Sequence, residues 1–278
     1  MRAANGTPAV EGRISACARH GSVVLRLSCA LVLLLTASSL CRAEEREIRI
    51  AAASDLSFAM HELAPQFERQ TGCRVNVSYG SSGNFFSQLQ NGAPFDLFLS
   101  ADLEYPKRLE AAGLTDGRVY EYAVGRLALW APANASVNPA SEHWNALLDP
   151  VVAKIALANP DHAPYGRAAI AALKKAGVYD RVKAKLVFGE NISQAAQFAQ
   201  SGNVQAGILA LSLARAPAMR HGKSWEIPPE FYPPIRQGAA VLRGARNADD
   251  ARRFLAFLQS ANAREILQGF GFSPPPAD

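Results

Sequence analysis

Residues 48–57 read Ile-Arg-Ile-Ala-Ala-Ala-Ser-Asp-Leu-Ser, a short β-branched and apolar run that passes directly into small and polar residues. From Ser57 to Gln70 the apolar residues Phe58, Leu63 and Phe67 fall on one side of a helical period. A strand that leads at once into an amphipathic helix is the unit of a parallel sheet with helices on its faces. This junction therefore predicts an α/β fold.

The same alternation of strand and helix patterns continues from this junction to the end of the chain. Further strands are predicted at residues 74–79, 95–100, 126–130, 154–158, 185–188, 206–210 and 237–242. Further helices are predicted at residues 166–176, 249–259 and 263–269. Helices that alternate with strands in this way are typical of a single α/β architecture throughout the chain.

The segment before this alternation has the features of a secretory signal peptide. Three arginines precede a largely apolar stretch at residues 27–37, which is too short to span a bilayer. We therefore predict that residues 1–43 direct export, that cleavage occurs near Ala43, and that the mature protein is soluble in the periplasm. A lipid anchor at Cys41 is the competing interpretation, but Leu40 is bulky where lipid attachment requires a small residue.

Removal of the signal segment changes what the composition indicates. Residues 1–43 hold five of the 29 Lys and Arg but one of the 24 acidic residues, so the mature chain has a net charge of +1. That charge favours neither nucleic acid nor an anionic membrane as a partner. Cys73 is the only cysteine that remains, which excludes an intramolecular disulfide and a cysteine-based metal site. The remaining ~235 residues suffice for one large domain or two modest lobes.

Four helix starts carry the functional signal. Each follows a predicted strand and opens with small, polar or glycine residues, at 52–57, 79–84, 163–167 and 189–194. A helix N-terminus offers N–H groups without intrahelical partners and the positive end of the helix dipole, so it favours an anion. In open α/β sheets such loops gather at the carboxyl ends of the strands, so the four starts converge if two lobes face each other.

A purely local role remains open for the residues in these starts. Ser54, Ser82 and Ser193 are of the type that caps helices, and Gly80–Gly83 is also typical of a tight turn. Taken alone, the residues therefore support an anion or another small polar ligand and no narrower class.

Catalytic and metal-binding motifs are missing from the mature sequence. Gly222–Ser224 resembles the end of a phosphate-binding loop, but Pro217 stands where that motif needs its first glycine, and no Gly-x-Ser-x-Gly element occurs. The mature sequence has four histidines, and none of them has the spacing of a metal site: His61, His143, His162 and His221. We predict a protein that is not an enzyme and needs no cofactor. The alternative is an enzyme, a hydrolase with Ser54 or Ser82 as its nucleophile.

Several longer stretches resemble the periplasmic molybdate-binding proteins. They are 51–56 with 81–83, then 91–102, 159–166 and 201–203. The elements Gly-Ala-Pro-x-Asp-Leu-Phe at 92–98 and Pro-x-x-Ala-Pro-Tyr-Gly at 160–166 are the most specific, and the resemblance covers essentially all of the mature chain.

The resemblance implies a type II periplasmic binding protein fold. Such a fold has two α/β lobes, each a mainly parallel sheet flanked by helices, joined by two crossover strands. On this basis lobe 1 is predicted at residues 44–124 plus 235–278, and lobe 2 at residues 125–234.

The resemblance also implies a cleft in which neutral donors hold a tetrahedral oxyanion, molybdate or tungstate, without direct metal ligands. Ser54 and Ser82 would give hydroxyl and backbone donors from lobe 1. Asp55 would donate its backbone N–H, with its carboxylate turned away from a dianion. Tyr165 and Ile192 would bind through their main-chain N–H groups from lobe 2.

Two positions near these residues need separate comment. Ala210 stands where many members of the family have a tyrosine whose hydroxyl contacts the ligand. This departure affects that one expected contact and not the expected class of ligand. Arg167 follows Tyr165 by two residues and is a candidate for long-range attraction of the anion, or else a solvated helix residue.

The resemblance implies a monomer that delivers its ligand to an ABC permease in the inner membrane. Two other functions remain open. One keeps the fold and binds sulfate, phosphate or another small oxyanion. The other is an anion sensor that takes no part in transport.

Overall fold

The computed structural model describes residues 46–276, in which ten strands form two five-stranded sheets. The first sheet contains β1 (Glu47–Ala53), β2 (Arg74–Gly80), β3 (Leu97–Ser100), β4 (Tyr120–Gly125) and β10 (Ile235–Val241). The second sheet contains β5 (Leu127–Ala131), β6 (Ile155–Ala158), β7 (Leu186–Gly189), β8 (Ala206–Ala210) and β9 (Lys223–Glu226). Their spatial orders are β2-β1-β3-β10-β4 and β7-β6-β8-β5-β9.

Both sheets are mixed. In the first, β1 pairs in parallel with β2 and β3, whereas β10 pairs antiparallel with β3 and β4. In the second, β6 pairs in parallel with β7 and β8, whereas β5 pairs antiparallel with β8 and β9. The chain leaves the first sheet through β4 and re-enters it through β10, so these two strands run in opposite directions. In each sheet four strands run in one direction and a single strand, β10 in the first and β5 in the second, runs against them. The predicted fold of two α/β lobes with mainly parallel sheets is therefore confirmed.

Helices follow most of the strands. They are α1 (Ser57–Thr71), α2 (Ser82–Gln90), α3 (Glu104–Ala111), α4 (Pro139–Glu142), α5 (Pro164–Lys175), α6 (Tyr179–Val182), α7 (Ile192–Gln200), α8 (Leu211–Ala214), α9 (Ala248–Leu258) and α10 (Ala261–Gly269). A 3₁₀ turn at Ser54–Leu56 links β1 to α1. Helix α1 buries Leu63 and Phe67 and ends at Gly72, where a φ of 69° suits a residue without a side chain.

We call the first sheet with its helices lobe 1 and the second lobe 2. Lobe 1 has an apolar core on each face of its sheet. On one face Phe67 of α1 packs against Phe254 of α9 with ring centroids 4.9 Å apart, and on the other Phe85 of α2 packs with Phe98 of β3. Lobe 2 has one continuous core around β5, β6 and β8, all of whose residues are buried. These cores hold the strand ends, and the loops that follow them, in place.

The eight predicted strands are confirmed, each within two residues at either end. The sequence analysis missed β4 and β9. Strand β9 has only four residues, two of them charged, and lies at the edge of its sheet, so it lacks an apolar signal. Helix α5 begins at Pro164, two residues before its predicted start, because proline suits the first turn of a helix. That earlier start places Tyr165 inside the first turn.

The chain passes between the sheets at Arg126 and again between Glu226 and Ile235. The bounds predicted for the lobes, 44–124 plus 235–278 and 125–234, stay a prediction. The predicted signal segment lies outside the described residues. Within residues 46–276, no helix is both long enough and apolar enough to cross a membrane.

Candidate functional site

The four predicted helix starts meet at one cavity. It is small, with an empty volume of about 190 Å³ that includes open solvent. The residues expected from the sequence all line it, namely Ser54, Asp55, Ser82, Tyr165 and Ile192. Each comes from a loop at the carboxyl end of a strand, three from lobe 1 and two from lobe 2. The topology therefore brings residues far apart in the sequence to a single point between the lobes.

Backbone N–H groups at this cavity have no partner in their own helices. Ser82 begins α2, Ile192 begins α7, and Tyr165 is the second residue of α5. Within residues 46–276 no acceptor is found for these three N–H groups. By contrast, the N–H of Gly83 donates to His162 O at 2.9 Å, and that of Gly166 to Ala163 O at 3.0 Å. The free donors are therefore those of the residues that line the cavity.

The expected serines are not the caps of these helices. Ser81 caps α2, because its hydroxyl accepts from the N–H of Asn84 at 3.4 Å, and Asn191 caps α7, because its side chain accepts from the N–H of Gln194 at 3.0 Å. The capping interpretation thus fails for Ser82 and for Ser193. Their immediate neighbours satisfy the helix ends, so the hydroxyl of Ser82 is available for another task.

The two hydroxyl groups expected at the site are used differently. Ser82 Oγ accepts from the N–H of Ala101 at 2.9 Å, and its own proton has no acceptor among the described residues. The hydroxyl of Ser54 instead donates to Asn191 Oδ1 at 3.2 Å and accepts from the N–H of Ser193 at 3.3 Å. Ser82 therefore offers a hydroxyl donor to the cavity, whereas the Ser54 hydroxyl joins lobe 1 to lobe 2.

The Asp55 carboxyl lies in a buried polar cluster beside the cavity. Gln237 Nε2 donates to its Oδ2, while its Oδ1 has no hydrogen-bond partner within the described chain. Burial raises the pKa of Asp55 to about 6, and hydrogen bonds from Gln237, Tyr165 and nearby backbone N–H groups offset part of that rise. Asp55 Oδ2 thus accepts a hydrogen bond from Gln237 of the same lobe.

Two tyrosines complete this cluster. Tyr122 Oη donates to Gln237 Oε1 at 2.6 Å, and Gln237 Nε2 donates to Tyr165 Oη at 3.2 Å. Burial is the main cause that raises the pKa of both tyrosines well above the usual value, so both stay protonated. The sequence analysis missed Gln237 and Tyr122. A glutamine within the apolar strand 235–241 was the available signal, because a buried amide requires partners.

No lysine or arginine is among the residues that line the cavity. Residues 46–276 contain no cluster of His, Cys, Asp or Glu that could hold a metal ion. Ala210, at the position where the family tyrosine was expected, is fully buried, and the nearby Ser212 donates instead to Asp55 O at 2.8 Å. The donors at the site are therefore neutral. The hydroxyl of Ser212, on lobe 2, donates to the backbone of Asp55, on lobe 1, and so joins the two lobes.

The chain matches the family model of bacterial extracellular solute-binding proteins over residues 48–273. It is 38% identical over 234 residues to a molybdate-binding protein of Azotobacter vinelandii, covering 84% of this chain and 92% of the relative. It is 37% identical over 227 residues to that of Rhodobacter capsulatus, covering 81% and 88%. The solved periplasmic molybdate-binding protein of Azotobacter vinelandii superposes with a TM-score of 0.77 at 30% identity, over 82% of this chain and 100% of that one.

Proposed function

This chain belongs to the bacterial extracellular solute-binding proteins, and from that membership we propose that it captures molybdate or tungstate and delivers it to an ABC importer. Relatives named as molybdate-binding proteins, at 38% and 37% identity, support that ligand. The observation that carries the proposal is the convergence of Ser54, Asp55, Ser82, Tyr165 and Ile192 on one small cavity. Free first-turn N–H groups face an anion there from both lobes.

Neutral donors suffice for tight binding of a dianion. A hydrogen bond to a charged group contributes about 1.5–3 kcal/mol, so about six give roughly 9–18 kcal/mol before association costs of at least about 4 kcal/mol. The difference corresponds to dissociation constants from about millimolar to nanomolar or tighter. Helix dipoles at α2, α5 and α7 add to this, because each directs its positive end toward the cavity.

Selectivity follows from size and from the kind of groups present. Within each lobe the donors are fixed to the ends of packed strands, and cross-lobe hydrogen bonds such as that from Ser54 to Asn191 fix the spacing of the two sets, so the cavity keeps its size around a smaller anion. Hydrogen phosphate carries a proton that needs an acceptor; at Asp55, Oδ2 already accepts from Gln237, and Oδ1, which has no partner within the described residues, is buried. We therefore propose that molybdate and tungstate bind more tightly than sulfate and phosphate.

The proposal includes the setting of this protein. We place the mature chain in the periplasm as a monomer that binds without turnover and docks on a permease of the inner membrane. Closure of the two lobes around the anion is the expected conformational step, as in other two-lobed binding proteins.

Calorimetric titration of the purified protein with sodium molybdate, tungstate, sulfate and phosphate tests the ligand. We expect micromolar or tighter binding of molybdate and tungstate, and at least about 100-fold weaker binding of sulfate and phosphate. Sulfate binding that equals or exceeds molybdate binding contradicts the assignment.

Ser82→Ala tests the site itself. The change removes a hydroxyl that donates to the charged ligand, and we expect the molybdate dissociation constant to rise about tenfold to 100-fold. Ser78→Ala is the matched control, because Ser78 is exposed on β2 and outside the cavity. Equal affinities of the two variants would place the anion elsewhere.

A further inference from the structure

An ion pair crosses the cleft next to the cavity. Arg167 Nη2, on α5 of lobe 2, lies 2.6 Å from Asp102 Oδ2, in the loop after β3 of lobe 1. Arg167 Nη1 also donates to Tyr105 Oη at 3.3 Å, and the guanidinium carbon lies 5.5 Å from the centroid of the Tyr105 ring. One side chain of lobe 2 thus contacts two residues of lobe 1.

The pair is attached to the backbone segments that carry the ligand donors. Arg167 is in the same first helical turn as Tyr165, whose N–H is free at the cavity. Asp102 directly follows Ala101, whose N–H holds Ser82 Oγ at 2.9 Å. Contact between Arg167 and Asp102 therefore sets the distance between a donor of lobe 1 and a donor of lobe 2.

The acidic partner is partly buried where the two lobes are in contact. The Asp102 side chain is 16% exposed and that of Arg167 is 39% exposed. Burial raises the pKa of Asp102, while the N–H of Tyr105 and the charge of Arg167 lower it, and the charge of Glu104 adds a small rise. If Arg167 is removed, the closed form retains a desolvated carboxylate without its cation, whereas water solvates Asp102 in an open cleft. The loss therefore acts against the closed form.

We propose that Arg167 is a positioning residue that latches the lobes through Asp102 and thereby sets the rate at which the bound oxyanion is released. This inference rests on the proposed function. Arg167 does not line the cavity, so it acts on the ligand only through the relative position of the lobes. Long-range attraction of the anion, the role suggested by its charge alone, predicts a different kinetic signature.

Stopped-flow fluorescence with sodium molybdate at about 150 mM salt separates the two roles, since exposed charges are then screened beyond roughly 8 Å. For Arg167→Met we expect the dissociation rate constant to rise about threefold to tenfold and the association rate constant to change by less than about twofold. Arg181→Met is the matched control, because Arg181 is exposed on α6 and forms no side-chain bond within the described residues. It should dissociate at the wild-type rate.

Asp102→Asn provides the second arm. The amide oxygen still accepts from the N–H of Tyr105, which Asp102 Oδ1 does at 3.0 Å, but the charge is gone. We expect the Arg167→Met/Asp102→Asn double variant to release molybdate more slowly than Arg167→Met alone, because no unpaired carboxylate remains in the closed cleft.

The outcomes are distinct. A wild-type dissociation rate in Arg167→Met overturns the latch, and so does an effect confined to the association rate that disappears at high salt. If the wild-type protein binds neither molybdate nor tungstate in calorimetry, the proposed function itself is wrong. The latch fails alone when the wild type binds molybdate and the variants release it unchanged.

Discussion

Two of the seams along which the lobes meet differ in chemistry. The first seam consists of Ser54, Asn191 and Ser193 and uses only hydroxyl, amide and backbone groups. The second seam brings Gly83 of lobe 1 against the backbone of His162 of lobe 2, at 2.9 Å between Gly83 N and His162 O. The first seam therefore depends on hydrogen bonds alone, whereas the second depends on close backbone contact and includes titratable groups.

The second seam extends beyond its backbone contact. His162 Nδ1 lies 2.9 Å from Ser81 Oγ, and His162 Nε2 lies 3.7 Å from a carboxylate oxygen of Glu190. Asn84 also donates to Glu190 across the cleft. The structure thus places His162 between the lobes, beside the helix start that contains Ser82.

The largest expected effect comes from a wedge in the second seam. A Cβ at Gly83 would lie 2.7 Å from His162 O and 2.7 Å from Tyr105 Oη, and backbone cannot yield as a flexible side chain can. We expect Gly83→Ala to raise the molybdate dissociation constant about 100-fold, since overpacking costs about 1–3 kcal/mol. Gly244→Ala, at an exposed glycine with open space around it, is the calorimetric control. Unchanged affinity in Gly83→Ala would show that binding does not need this seam.

The buried carboxyl group of Asp55 makes the stability of the protein depend on pH. Its pKa is raised from 3.8 to about 6, so the carboxyl is neutral in both the folded and unfolded protein below about pH 4. Between about pH 4 and 6 the unfolded chain releases this proton while the folded protein keeps it, so stability falls with rising pH and about 3 kcal/mol has been lost above about pH 6.

Asp55→Asn removes this titration while its amide oxygen still accepts from Gln237. Urea unfolding should therefore give equal stabilities for variant and wild type near pH 4, and a more stable variant above about pH 6. Other carboxyl groups titrate alike in both proteins and cancel in the difference. A difference in stability that does not change with pH would contradict the buried, raised pKa.

The smallest of these effects is expected in the first seam. Ser54→Ala removes one donor to Asn191 and one acceptor for the N–H of Ser193, and we expect molybdate affinity to fall about tenfold. Because the seam is neutral, this loss should be the same at low and high salt. Ser57→Ala, at the first residue of α1, is the control. If the effect of Ser54→Ala depended strongly on salt concentration, the first seam would not be electrostatically neutral.

The alternation of strands and helices was predictable because it depends on local patterns. A buried strand and an amphipathic helix each show their period within a few residues, as at residues 48–57 and in α1. The edge strand β9 was missed because its sequence, Lys-Ser-Trp-Glu, has no such period. Likewise, Ser54 and Ser82 look alike in the sequence, since each lies between a strand and a helix, and only their distant partners distinguish them.

Local sequence patterns predicted the α/β architecture and the four helix starts, and a family resemblance added the candidate residues for an oxyanion. Tertiary structure alone decided which residues face each other across the cleft. Gln237 holds Asp55 from 182 positions away, and Arg167 reaches Asp102 from 65 positions away. The physical reason is that a helix start is set by its own few residues, whereas a cross-lobe contact depends on where two separately packed cores place the ends of their strands.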